Sequence, residues 1–186
     1  MTNSLISFGT NLAPGERGLA SIFDKVQSRL ESTPDLSILA VSRSFRSPAW
    51  PPGSGPEFLN AALSIDSVYQ ARALLTILHN IENRLGRSRA ARWGPRVCDL
   101  DLVMHGDEIH PDASTVRRWM ALDEADAARL TPDRLLAPHP RLHQRGFVLL
   151  PLMDIAPDRR HPILGRTVRE MAADLPAHAV EGVEPL

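Results

Sequence analysis

Cysteine is nearly absent from this chain: Cys98 stands alone among 186 residues, so no intrachain disulfide framework can hold the fold. Lysine is equally scarce. Lys25 is the only one, and every other basic residue is arginine. A P-loop requires Gly-x-x-x-x-Gly-Lys-Ser/Thr, and Lys25 sits in a helical pattern without those glycines, so a nucleoside triphosphate here would be handled by arginines and metal. Neither sign of charge predominates, with 21 Lys and Arg against 22 Asp and Glu. That gives no electrostatic reason to expect bulk binding to nucleic acid or membrane. No apolar run is long enough to span a bilayer. Met1-Thr2-Asn3-Ser4 leads into a short apolar strand without a basic n-region or a signal-length apolar stretch, and a soluble cytoplasmic protein is the expectation. The length favours one domain, 1–186, large enough to bury a real core.

What is present is strong periodicity. Leu5–Phe8 reads as a short strand, ending at Gly9-Thr10-Asn11. Leu19, Ile22, Phe23, Val26 and Leu30 fall at helical spacing, and Thr33-Pro34-Asp35 ends that helix. Leu36–Phe45 alternates as a second strand. Ser47–Pro56 is rich in Pro and Gly and predicts a loop, which carries Trp50. Phe58–Ile65 is a third strand. Ser67 with Gln70 has the pattern of a capping box opening a second helix, whose stripe is Ala71, Leu74, Leu75, Leu78, Ile81 and Leu85; Gly86 stops it. Val97–Met104 is a fourth strand. The order βαββαβ predicts an α+β fold with a ferredoxin-like core, an antiparallel sheet with both helices on one face, and a C-terminal extension. Beyond Gly106 the pattern weakens. Ser114–Leu130 has a loose helical periodicity, Arg145–Met153 is an apolar segment, and Thr167-Val168-Arg169-Glu170 is a capping box that starts a short helix.

The most informative stretch is Arg92-Trp93-Gly94-Pro95-Arg96-Val97-Cys98-Asp99-Leu100-Asp101, a basic loop running into a strand with two carboxylates. Successive strand side chains point to opposite faces. Asp99, Asp101 and Val103 therefore share one face, and Cys98, Leu100, Leu102 and Met104 take the apolar other. The two Asp Cα atoms lie roughly 6.5–7 Å apart. Their carboxylates can converge on Mg²⁺, a hard cation that takes oxygen ligands and accepts substrate phosphates in its shell. Arginines just upstream supply planar donors for phosphate oxygens. Taken alone, the pair is also compatible with a solvated strand face, and the arginines with an RNA-binding patch, although an aromatic content of 5% argues against the latter.

Five pieces, in order, resemble the 6-hydroxymethyl-7,8-dihydropterin pyrophosphokinase (HPPK) family. They are Gly9-Thr10-Asn11-Leu12, Ser47-Pro48, Phe58-Leu59-Asn60-Ala61, the Arg92–Arg96 block with Asp99-Leu100-Asp101, and Pro138-His139-Pro140 with Arg145-Gly146-Phe147. The resemblance runs from about Ser4 to about Met171, and its arginine–aspartate block is the most specific part. It implies transfer of the β,γ-diphosphate of ATP to the hydroxymethyl oxygen of the reduced pterin, with release of AMP.

The resemblance further implies two Mg²⁺ ions held by Asp99 and Asp101. It assigns Arg87 and Arg92 to the triphosphate and its transition-state charge, and sets Arg96 beside the centre. Glu82 is implied as an ATP-side contact or a group supporting one, and Arg134, His139 and Arg145 as further nucleotide contacts. Ser47, Pro48, Asn60 and Phe147 match pterin contacts, Trp93 covers the pterin region from a closing loop, and Trp50 is a candidate contact of unusual size. ATP and the pterin are the implied partners, with no nucleic acid or membrane, in a monomer or weak homodimer. The connection Asp107–Leu135 is roughly twenty residues longer than the family's usual link, beyond ordinary loop lengths. A non-catalytic homologue is the alternative, disfavoured by the presence of Asp99, Asp101 and Arg92.

Overall fold

The computed structural model describes residues 1–12, 15–49, 53, 55–86 and 97–186. Strand β1 (Thr2–Thr10) runs to helix α1 (Gly15–Glu31), and then come β2 (Leu36–Val41), β3 (Phe45–Ser47) and β4 (Phe58–Ser67). Helix α2 (Ala71–Arg84) precedes β5 (Asp99–His105). Every strand pairing is antiparallel. The sheet order is β5-β1-β4-β3-β6, with β2 on the same side of β4 as β3 and β6 (Glu184–Pro185) at the far edge. The architecture is α+β, an antiparallel sheet with helices.

The period-2 and period-3.6 patterns sort the side chains onto two cores. One sheet face carries Ile6, Phe8, Leu59, Leu63 and Leu100, packed against Phe23, Val26 and Leu30 of α1 and Leu74 and Leu78 of α2. Phe8 and Phe23 stack there with centroids 4.7 Å apart. Cys98 is buried in this core, away from the aspartates. The opposite face carries Leu5, Ala62, Val103 and Met104, packed against α5 (Gly146–Ile155) and α6 (Val168–Ala173) through Val148, Leu149, Leu152, Val168 and Met171.

Several expectations are corrected. The second strand is two, because the chain bends at Ser42-Arg43-Ser44. The Ser42 hydroxyl accepts the Ala62 N–H at 2.8 Å, which frees Arg43 to fork onto Asp154 of α5 at 2.8 and 2.9 Å. Ser67 does not cap α2. It is the buried last residue of β4, paired with both Thr2 and Leu36. Gln70 occupies the cap position without a side-chain bond, since pairing on both sides outweighs one local hydrogen bond. Met104 leaves the apolar face predicted for it. Leu5 pairs with Met104 and Ile6 with Leu102, so Val103 is the extra residue of a bulge. Beyond the bulge Met104 joins Val103 in the second core.

The segment predicted as one loose helix after Ser114 is two, α3 (Ala113–Met120) and α4 (Glu124–Arg129). Each has its own aspartate cap, Asp112 to the Thr115 N–H and Asp123 to the Asp126 N–H, both at 2.8 Å. The Thr167–Glu170 capping box forms as read. Helix α7 (Ala177–Val180) and β6 complete the chain.

Candidate active site

The bulge, and the covering of one end of the second sheet face by α5 and α6, leave a polar end on that face. Gly9 of β1 pairs with Asp99 on one side and Asn60 on the other, and Asn60 pairs with Phe45 of β3. One row further along, Ser7 stands between Asp101 and Ala62. Strands lie about 4.8 Å apart, so the Asp99 and Asn60 Cα atoms are about 10 Å apart across a glycine that presents no side chain. The aspartate pair and the amide thus share one floor.

Asp101 keeps 42% of its side-chain surface, and the Arg145 guanidinium lies 3.8 Å from its Oδ2. Arg145 also stands over the Phe147 ring, 5.6 Å from its centroid. Both residues are placed by the start of α5. A shallow recess open to solvent is lined by Ser7, Asp101, Val103, His139, Leu142, Arg145 and Val148.

His139 enters this recess because its segment is pinned to the sheet: its N–H donates to the Val103 carbonyl, at the bulge, at 2.8 Å. Desolvation, with Arg145 and Arg141 adding to it against the opposing pull of Asp99, pushes its imidazole down to about 3. The ring is neutral at physiological pH. Its Nδ1 accepts the Arg141 N–H at 3.2 Å, which assigns the ring proton to Nε2 and makes that atom a donor.

On the other flank, Asn60 and Ser47 are both buried, and Asn60 Nδ2 donates to Ser47 Oγ at 2.9 Å. The amide oxygen keeps acceptor capacity. Pro48 follows, exposed, at the mouth of the loop. Glu82 is not an exposed helix charge. It is fully buried, and its Oε1 accepts the Leu100 N–H at 2.8 Å. β5 ends the sheet order, so Glu82 serves that edge where a strand would, between the two aspartates. Thr10 acts similarly at the start of β5, its hydroxyl donating to the Val97 carbonyl at 2.7 Å.

Asp99, Asp101, His139, Arg145, Phe147, Asn60 and Ser47 are therefore gathered around one face, with Pro48 at its edge and Glu82 behind it. Arg134 is not brought into this group: it is exposed and forks onto Asp133 at 2.9 Å through Nε and 2.9 Å through a terminal nitrogen. Arg87, Arg89, Arg92, Trp93, Arg96 and Trp50 lie outside the described residues. Sequence reasoning missed Arg141, whose charge and N–H both act on His139; its position directly after Pro-His-Pro and four before Arg145 was the available signal.

The donor set fits Mg²⁺. Among the described residues no group of three or more His, Cys, Asp or Glu assembles, so no all-protein cage of the zinc or calcium kind is present there. Two carboxylates on a part-exposed face suit a cation whose remaining ligands are water and phosphate oxygens.

An antiparallel α+β sheet with two aspartates on one face and an arginine and a histidine beside them is an arrangement that suits a transferase handling phosphate-bearing substrates. The chain matches the model of 7,8-dihydro-6-hydroxymethylpterin-pyrophosphokinase (HPPK) over residues 5–157. It is 34% identical over 184 residues to the 2-amino-4-hydroxy-6-hydroxymethyldihydropteridine pyrophosphokinase of Methylorubrum extorquens, covering 99% of this chain and 100% of that protein. The protein of the same name from Pseudomonas aeruginosa is 32% identical, with 95% of this chain and 93% of that one covered. Among solved structures, an HPPK-DHPS in complex with substrates superposes with a TM-score of 0.65 at 12% identity. That alignment covers 92% of this chain and 43% of the other, so the chain spans less than half of that longer polypeptide. The chain belongs to the HPPK family.

Proposed function

We infer that Asp99 and Asp101 are the metal ligands, and that Ser47, Pro48, Asn60 and Phe147 are the pterin contacts, of the reaction of this family. That reaction moves the β,γ-diphosphate of ATP onto the hydroxymethyl group of 6-hydroxymethyl-7,8-dihydropterin and releases AMP, a step of folate biosynthesis. The observation that carries the assignment is the single floor on which Asp99 and Asn60 stand two strands apart, with Gly9 between them. A pterin held by its edge at Asn60 directs its hydroxymethyl arm along that floor toward the carboxylates.

Asp99 and Asp101 would hold two Mg²⁺ ions, which when bound would supply neutralisation of the phosphate charge for the transfer. The chain's own groups then position and exclude water. Asn60 reads the donor–acceptor edge of the pterin, and Phe147 offers a ring face. The neutral His139 donates through Nε2 to a phosphate oxygen, while Arg145 supplies fixed positive charge beside Asp101. Glu82 holds β5, and with it the spacing of the two aspartates. Arg87, Arg92 and Arg96 clamp the triphosphate, and Trp93 and Trp50 cover the pterin.

In this reading residues 1–186 act as one pyrophosphokinase domain on a ferredoxin-like core, with 107–135 as an insertion and a C-terminal extension. The protein works in the cytoplasm as a monomer or weak homodimer, without nucleic acid or membrane. No helix among the described residues is long and apolar enough to cross a membrane.

Equilibrium binding of ATP, with and without Mg²⁺, tests the assignment. Asp101→Asn is expected to abolish the Mg²⁺ dependence of ATP binding and to leave pterin affinity within about twofold, the carboxylate being outside the pterin contacts. Undiminished Mg²⁺ dependence in Asp101→Asn and Asp99→Asn would remove the metal from this strand.

A further inference from the structure

The last ten residues lie beyond the residues matched by the family's model, which ends at residue 157, and they fold back onto the two elements that carry the pterin contacts. Helix α7 rests on the start of α5. A Cβ added to Gly146 would collide with the Ala179 carbonyl, so the close approach requires glycine there. From α7 the chain turns at Gly182, in the left-handed region at φ +69°, where a side chain would press on the Pro48 ring at 3.1 Å. It then runs antiparallel to β3, pairing Arg46 with Glu184 and Phe45 with Pro185. The Leu186 N–H donates to the Ser44 carbonyl at 2.9 Å.

An ion-pair relay fastens this strand to the loop. Arg46 donates to Glu184 at 3.0 Å and lies 3.6 Å from Glu57. Arg46 immediately precedes Ser47, and Glu57 immediately precedes Phe58, so one guanidinium ties the tail to both ends of the Ser47–Glu57 loop. Ser47 in turn holds Asn60, and Gly146 is the residue before Phe147. The tail thus touches the base of the pterin loop at Pro48 and the base of the aromatic contact at Gly146.

We propose that the C-terminal segment 177–186 is a positioning element for the pterin subsite, fixing the Ser47-Pro48 loop relative to Phe147 through Glu184, Gly182 and Ala179. The proposal rests on the pterin assignment made above. Neither Glu184 nor Gly182 touches substrate; both act through residues that do. None of these contacts reaches Asp99, Asp101 or His139, and the Glu184–Arg46 and Gly182–Pro48 contacts act on the pterin side; Gly146 also follows Arg145, so the α7 contact borders both sides.

Steady-state kinetics in both substrates, with a charge swap, tests it. Glu184→Arg is expected to raise the KM for the pterin about threefold to fivefold, the range an exposed ion pair can supply, with the KM for ATP unchanged. The double variant Arg46→Glu with Glu184→Arg is expected to recover part of that loss. Gly182→Val, which drives the tail off Pro48, is expected to raise the pterin KM about tenfold or more. Val168→Ala, in the second core, serves as a control that lowers the melting temperature without moving either KM. Asn60→Ala and Phe147→Ala calibrate the subsite itself. If those two raise the pterin KM while the tail variants move only the melting temperature, the tail is structural and the proposal is overturned. If Asn60→Ala and Phe147→Ala leave the pterin KM unchanged, the pterin assignment fails, and the proposal with it.

Discussion

Asp101 is exposed enough to be replaced without disturbing the core, and it sits where charge must be met. Asp101→Ala is therefore expected to reduce turnover by about 10²–10³-fold or more, as removal of one preorganised electrostatic group does. Stability should change within about 0.5 kcal/mol, as for a surface substitution, and rate and denaturation midpoint measured on one preparation separate the two. Asn60 behaves differently. It is buried and bonded to Ser47, so Asn60→Ala should cost about 1–3 kcal/mol of stability from the orphaned hydroxyl and raise the pterin KM as well. The aspartate pair was legible in the sequence because a strand's period of two puts residues 99 and 101 on one face whatever the rest does. Arg141 was not, because its action on His139 depends on the backbone bond that pins His139 to Val103 across the sheet. The burial of Glu82 was not legible for a similar reason: helical periodicity places it one position from the buried stripe, and its bond to the Leu100 N–H at the edge of the sheet explains why a carboxylate goes inside.

At the scale of elements, β5 depends on that carboxylate. Glu82→Ala leaves the Leu100 N–H buried without an acceptor, and is expected to destabilise by about 1–3 kcal/mol and to lower turnover through the spacing of Asp99 and Asp101. Glu82→Gln, which keeps an acceptor oxygen, should recover most of both. Thermal melts and turnover of the two variants provide the check, and equal behaviour of Gln and Ala would deny the edge role. Helix α6 offers a contrast far from the chemistry. Thr167→Ala breaks a complete capping box and should cost about 1 kcal/mol with unchanged kinetics. That box was readable because capping is a local signal. Helix α5 was readable only as an apolar segment, since it is apolar nearly all round and contains Pro151, which leaves no stripe to detect. The tail strand β6, two residues long and half proline, has no period at all; only its partner β3 defines it.

For the whole molecule, the buried histidines set the response to acid. His161 is fully buried, and burial, with His143 and Arg117 adding to it, lowers its imidazole to about 4. Burial also lowers His143, and lowers His105 against the opposing pull of Glu108. Each takes up a proton less readily when folded than when unfolded. The unfolded chain therefore binds more protons between about pH 6.5 and 4, and stability falls as pH falls through that window. The melting temperature should be flat above about pH 7 and decline below about pH 6.5. His161→Gln should flatten the decline, and an unaltered slope would assign the acid sensitivity elsewhere.

If Asp99 and Asp101 hold the metal, this face of the sheet joins ATP to the pterin. Release of AMP from ATP and Mg²⁺, with and without 6-hydroxymethyl-7,8-dihydropterin, tests it most directly. AMP is expected only when the pterin is present, and its release is abolished by EDTA and in Asp101→Ala. ADP as product, or AMP formed at the same rate without the pterin, would contradict it.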